Sequence, residues 1–146
     1  MKDFNVKIKK LCDLAKVPTY GSEFSAGADL YSAQEDTIVL PHKTVLIKTG
    51  ISVEIPVGYV GLIYARSGLA IKSDLAPANK VGVIDSDYRG EILVAILNHG
   101  DEARTISAGD RIAQIIFTPY KKASFSVTDT LNETERGEKG FGSTGK

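Results

Sequence analysis

Ile51-Ser52-Val53-Glu54-Ile55-Pro56-Val57-Gly58-Tyr59-Val60-Gly61-Leu62-Ile63-Tyr64 decides how this chain is read. From Ile51 to Ile55 apolar residues alternate with polar ones. A Pro-Val-Gly break follows, and a second run rich in aromatic and β-branched residues fills Tyr59 to Tyr64. A period of two sends successive side chains to opposite faces, so both runs are predicted strands and Ile55 to Gly58 is the turn between them. The same grammar repeats outward. Thr44 to Lys48, Lys80 to Ile84, Glu91 to Leu97 and Arg111 to Phe117 read as strands. Leu40-Pro41-His42, Ser86 to Gly90, Asn98 to Asp101 and Ser107 to Asp110 read as turns. Many short strands at this spacing predict an all-β fold, a jelly-roll-like barrel or sandwich. One short helix is expected after Ser67, around Leu69 to Ser73. The basic start (Lys2, Lys7, Lys9, Lys10) fits the solvated face of an edge strand.

The composition sets the class. The chain has 146 residues, 42% hydrophobic and 25% charged, the mixture of a globular domain with one core. Eighteen Lys plus Arg balance eighteen Asp plus Glu. Nucleic-acid and membrane-surface binders need a positive field, so neither is expected as a partner. One cysteine, Cys12, cannot close an intrachain disulfide. With no secretory segment at the start, that points to a reducing, cytoplasmic address. Cys12 is expected to be a small, buried or half-buried residue. No second cysteine or paired histidine supports a zinc site; His42 and His99 fall in turns and read as surface residues.

The tail departs from this pattern. Periodicity ends near Leu131, which divides the chain into a β domain over 1–131 and a flexible Gly-rich arm over 132–146. Gly140 to Gly145 matches G-x-G-x-x-G, and Gly140 to Lys146 matches the opening of a Walker A loop. Both nucleotide-fold readings fail on context, because no strand precedes and no helix follows. The chemistry remains: glycines with Ser143 and Thr144 offer backbone N–H and hydroxyl donors to a polyphosphate, Arg136 adds a charged fork, and Phe141 is an aromatic that a linker does not need.

Other segments carry chemistry of the same kind. Ala65-Arg66-Ser67-Gly68-Leu69-Ala70 follows an apolar strand and has the makings of an anion clamp at a helix start. In Gly82-Val83-Ile84-Asp85-Ser86-Asp87-Tyr88-Arg89-Gly90, turn chemistry explains Asp87 and Gly90. Asp85 still belongs to the strand, where an acid held by a rigid sheet suits a general base. Tyr88 offers a flat face to a sugar or base. Asp29 sits among small residues in Ala26-Gly27-Ala28-Asp29-Leu30. Arg111 and Gln114 lie on a core strand at an odd offset, which places them on opposite sides of it, one structural and one in a site. Asp110 reads as a turn residue.

Taken in order, Ala26 to Leu30, Ala65 to Ala70, Asn79 to Gly90, Gly109 to Phe117 and Arg136 to Gly145 resemble the five signature motifs of the homotrimeric dUTPase family. Ala65 stands where that family commonly has Pro, and Lys139 where it commonly has Gly. The resemblance implies a jelly-roll trimer with active sites at subunit interfaces, hydrolysing dUTP to dUMP and pyrophosphate by attack of water at the α-phosphorus. It implies that Asp85 activates the water, that Tyr88 packs under the deoxyribose, and that Asn79 with Gly82, Val83 and Ile84 lines the uracil pocket. Arg66, Ser67, Gly68 and Gln114 would hold the phosphate chain. Arg136, Gly142, Ser143 and Thr144 would grip it from the arm, with Phe141 stacked on the uracil. Asp29 would help organise the water shell of a Mg²⁺. Two other readings stand beside it. A dCTP deaminase shares fold and phosphate clamp but needs a Glu at the base pocket, and Glu91, beyond the turn, is the nearest. A nucleotide-gated binding module would need an added surface element.

Overall fold

The computed structural model describes residues 5–140. Twelve strands and one helix follow in order: β1 (Lys7–Lys10), β2 (Thr19–Tyr20), β3 (Ala28–Tyr31), β4 (Thr37–Val39), β5 (Thr44–Lys48), β6 (Ile51–Glu54), β7 (Tyr59–Tyr64), α1 (Ser67–Ser73), β8 (Leu75–Pro77), β9 (Gly82–Ile84), β10 (Leu93–Asn98), β11 (Arg104–Ile106) and β12 (Arg111–Pro119). Every pairing is antiparallel: β2-β3-β12-β7-β9 form the largest sheet, β5-β10-β8 a second, and β1-β6 and β11-β4 two short ribbons. Partners distant in sequence meet, as β12 does between β3 and β7, which is the crossing connectivity of a rolled sandwich rather than a meander.

The predicted runs became strands because their apolar faces meet in one core. Leu30, Ile47, Ile51, Ile55, Leu75, Ile92, Ile96, Ile106, Ile112 and Ile115 are all buried, and each such side chain contributes roughly 1.5–3 kcal/mol on leaving water. The turns fall where the sequence put them. Gly58 (φ 89°) and Gly109 (φ 84°) take the left-handed backbone that a Cβ disfavours. Asp110 is the turn residue expected, its carboxylate accepting the Ser107 N–H at 2.8 Å. Lys7, Lys9 and Lys10 are exposed on β1, an edge strand, where Lys7 pairs with Glu54 at 2.8 Å. That ammonium holds the Glu54 carboxyl below its ordinary value.

Three expectations are corrected. Cys12 is exposed, because it lies before the turn that carries Ala15, not Cys12, into the core. The strand expected at Lys80 begins at Gly82, since Lys80 (φ 65°) belongs to the preceding turn. The Glu91 run starts at Leu93: the Glu91 carboxylate turns back to accept the Gly50 N–H at 2.8 Å.

Candidate active site

The candidate residues gather near the two ends of strand β7. Past Tyr64, Ala65 and Arg66 lead into α1. Arg66 occupies the N-cap with extended backbone (φ −94°, ψ 129°) and gives its side chain to the sheet, not to the helix. Its Nε donates to Asp29 Oδ1 at 2.7 Å, while Arg111 Nη1 reaches Asp29 Oδ2 at 3.3 Å. Asp29, 9% exposed on β3, is therefore the anion between two guanidiniums, and both arginines keep their forks fixed. Ser67 and Gly68 stay exposed in the first turn of α1, where free N–H groups attract an anion.

Gln114 stands beside this cluster. On β12 it is paired with Asp29 on one side and Tyr64 on the other, and its Nε2 donates to the Ala65 carbonyl at 2.9 Å. A Cβ at Gly27 would run into that amide, which explains the small residues before Asp29. Arg111 and Gln114 were expected on opposite sides of the strand. The structure brings both to Asp29, because a β-bulge between Arg111 and Ala113 inserts one residue and reverses the alternation.

The other end of β7 faces a different chemistry. The turn after β8 is tight: Lys80 N–H donates to Pro77 O at 3.1 Å and Val81 N–H to Asn79 O at 2.7 Å. It leaves Asn79 exposed beside β9, with Gly82 buried, Val83 exposed and Ile84 half-buried. Asp85 follows at the strand end, exposed. Its carbonyl accepts the Tyr88 N–H at 3.2 Å, and the Tyr88 hydroxyl donates to Glu91 O at 3.0 Å. Gly90 must lack a Cβ because the Tyr88 ring lies against it. Arg89 Nη1 closes the loop by donating to Ser86 O (2.7 Å) and Tyr88 O (3.0 Å). The Tyr88 and Arg89 side chains thus hold the shape of the turn. The Asp85 carboxylate has no hydrogen-bond partner among the described residues and is free for a substrate.

The two clusters lie far apart within one chain. Ile84 pairs with Gly61, so Asp85 lies level with Val60. Arg66 lies six residues further along, roughly 20 Å at strand rise. Arg136, in the tail, is exposed and donates to Lys139 O at 3.0 Å within a small turn containing Gly137 (φ 52°). Phe141, Gly142, Ser143 and Thr144 lie outside the described residues.

A family model described as dUTPase matches residues 13–145, nearly the whole chain. The chain belongs to the dUTPase family. Among its relatives, the deoxyuridine 5'-triphosphate nucleotidohydrolase of Syntrophotalea carbinolica is 44% identical over 146 residues, covering 99% of each chain. The enzyme of the same name from Desulfitobacterium hafniense is 50% identical over 132 residues, covering 89% of this chain and 87% of that one. Among solved structures, a point variant of the dUTPase of Staphylococcus bacteriophage 80alpha with dUpNHpp superimposes with a TM-score of 0.90. It is 30% identical and covers 97% of this chain and 99% of that one. The sandwich is accordingly the all-β jelly roll of the dUTPases.

Three residues of this dUTPase-family fold were not singled out by sequence reasoning. Asn98, fully buried, donates to Val39 O (2.9 Å) and Glu102 O (2.7 Å) and accepts the Gly100 N–H (2.9 Å), so it organises the turn it was expected only to open. Asp74 takes a left-handed backbone (φ 56°) at the end of α1, and Arg104 pairs with it at 3.2 Å. A polar residue directly after a short helix was the available signal.

Proposed function

We propose that this chain hydrolyses dUTP to dUMP and pyrophosphate, with Asp85 as general base. The observation that carries the proposal is the Asp85 carboxylate, exposed at the end of β9 and without a hydrogen-bond partner among the described residues, on a turn braced by Tyr88 and Arg89. A carboxylate in that position accepts a proton from water as the water attacks the α-phosphorus, and pyrophosphate leaves on the opposite side. Tyr88, pinned by Glu91 O and Gly90, supplies a rigid floor for the sugar and leaves no room for a 2′-hydroxyl. Asn79 and the backbone of Gly82, Val83 and Ile84 form the base slot. Backbone donors and acceptors there reject a base with a different edge, because mismatched polar groups would be left unpaired. Family membership supports the same substrate. Glu91, the one acid that a deaminase reading had available, is spent on Gly50.

At the other end, the N–H groups of Ser67 and Gly68, with Arg66 and Gln114, bind and orient the phosphates. A Mg²⁺ fits this donor set only if the triphosphate carries it. Among the described residues no group of three or more His, Cys, Asp or Glu converges, and both Asp29 oxygens are already paired with arginines. Asp29 would reach the ion through water, and the ion would neutralise phosphate charge. A variant of the dUTPase of phage phi11 of S. aureus, with a TM-score of 0.80 and 26% identity over 88% of this chain, is described with a structural Mg(II) ion.

We place base and clamp on different subunits of a homotrimer. The attacking water must lie about 3 Å from its base and from the phosphorus, whereas Asp85 and Arg66 of one chain are separated by the length of β7. Residues 132–146 then act as an arm, with Arg136, Phe141, Gly142, Ser143 and Thr144 closing over a site of the assembly. The exposed Phe125, Val127 and Leu131 are apolar surface available to such an assembly. No helix among the described residues is long and apolar enough to cross a membrane. A single cysteine suits a reducing compartment, and we assign the enzyme to the cytoplasm on that ground. The test is incubation with dUTP, dCTP and UTP with Mg²⁺. Pyrophosphate from dUTP alone is expected; ammonia from dCTP, or orthophosphate from dUTP, would overturn the proposal.

A further inference from the structure

Helix α1 presents Ser67 and Gly68, yet little in the helix itself holds it. It has seven residues, none of them buried, and no side-chain cap at its start. A helix this short is marginal on its own; half-buried Leu69 packs against the core, and both ends of the helix are tied to the strands around it. The start is tied to the sheet through Arg66 and Asp29. The far end is tied by a second ion pair unconnected to the substrate. Asp74, left-handed at φ 56°, accepts the His99 N–H on its carbonyl at 2.8 Å and the Arg104 Nη2 on its carboxylate at 3.2 Å. Arg104 Nη1 also pairs with Glu102 Oε2 at 3.2 Å. The turn opposite is cut to fit: a Cβ at Gly100 would come within 2.7 Å of Asp74 Oδ2, and buried Asn98 fixes that turn by three hydrogen bonds.

Arg104 and Arg66 also line one cavity of about 320 Å³ beneath α1, together with Leu69, Ser73 and Arg111. The Arg104 Nε is buried without a hydrogen-bond partner. A guanidinium kept in place with a buried N–H unsatisfied, which normally costs stability, points to a role the core does not require. We infer that Arg104 is a positioning residue for phosphate binding: through Asp74 it fixes the end of α1, and thereby the Ser67 and Gly68 amides at the other end. The inference rests on the reading of those amides as the phosphate clamp.

The test compares Arg104→Met with wild type, at a temperature where circular dichroism shows both fully folded. Contacts made to the phosphates alike in ground and transition states change KM more than kcat. Arg104→Met should raise the KM for dUTP and the Kd of a non-hydrolysable dUTP analogue together, by about 10-fold, with kcat within about threefold. Deoxyuridine, which has no phosphate, should inhibit equally well in both proteins. Asp74→Gly keeps the left-handed cap and removes the carboxylate, so it should reproduce the effect, and the double variant should be no worse than either single one. Arg104→Lys should recover part of the affinity. If Arg104→Met fails to fold, Asp74→Gly carries the same comparison. Unchanged KM and Kd in a folded variant, a loss of kcat alone, or an equal loss of deoxyuridine affinity would overturn the inference. Wild type that binds neither dUTP nor its analogue would instead overturn the functional reading beneath it.

Discussion

Two variants, each inactive alone, should restore activity when assembled together. Asp85→Asn removes the proton acceptor and keeps the turn. Ser67→Asp sets a carboxylate where the phosphates dock; Ser67 is exposed in the first turn of α1, and an acid there suits the helix dipole, so folding should survive. At about 4 Å and an effective dielectric of 20, each pair of like charges costs about 4 kcal/mol, or roughly 10³-fold in affinity. With Asp85 level with Val60 and Ser67 beyond the far end of β7, the proposed site draws Asp85 from one chain and Ser67 from another. In randomly mixed trimers from equal co-expression, half of the Asp85 positions and half of the Ser67 positions are intact. About one quarter of the sites then carry both, in a closed symmetric assembly. Pyrophosphate release by the co-purified mixture should therefore approach about a quarter of wild type, against near-background rates for either variant alone. A mixture that sediments as a trimer yet stays at background would refute the reasoning, because base and clamp would then belong to one chain.

Asp85→Asn by itself should still bind dUTP, shown by calorimetry, and lose about 10²–10⁴-fold in kcat; near-wild-type turnover would remove Asp85 as the base. Tyr88→Ala should narrow the preference for dUTP over UTP, measured as the ratio of kcat/KM values; an unchanged ratio would put sugar discrimination elsewhere. Ending the chain at Thr134 removes Arg136 and everything after it but no strand of the described residues, so the melting temperature should hold while turnover collapses. A truncated enzyme of full activity would make residues 135–146 dispensable.

The sequence was most readable where a strand's own alternation decides its fate. Thr44 to Lys48 and Tyr59 to Tyr64 are strands with the expected bounds, and α1 began at Ser67, two residues earlier than the apolar run implied. Strands β2, β4, β8 and β11 have two or three residues, too few for a period; β2 and β8 take their hydrogen bonds from longer partners, while β4 and β11 pair only with each other across the sequence. The bulge at Arg111 is of the same kind. It arises from how β12 meets β3, a strand some eighty residues away in sequence, and no local pattern in Arg111 to Phe117 announces it. Cys12 went the other way, an apolar-looking residue left outside because the turn behind it buries Ala15 instead.

The candidate site divides similarly. Asp85 and Arg66 were legible because each is a charged residue abutting an apolar strand. The placement of Asp29 between two arginines was not, since it needs three strands in register. Asp74 and Lys80 both take positive φ with side chains that give weak notice of it, whereas Gly58 and Gly109 declare themselves. The parts of the site that depend on local chemistry could be read from the chain; those that depend on the pairing of distant strands required the fold.

The central claim is that water, activated by Asp85, attacks the α-phosphorus of dUTP. Single-turnover hydrolysis in ¹⁸O-labelled water, with excess enzyme and both products analysed by mass spectrometry, tests it directly. The label should appear in the phosphate of dUMP and be absent from pyrophosphate. Label in the pyrophosphate would place the attack on the β-phosphorus and contradict the account.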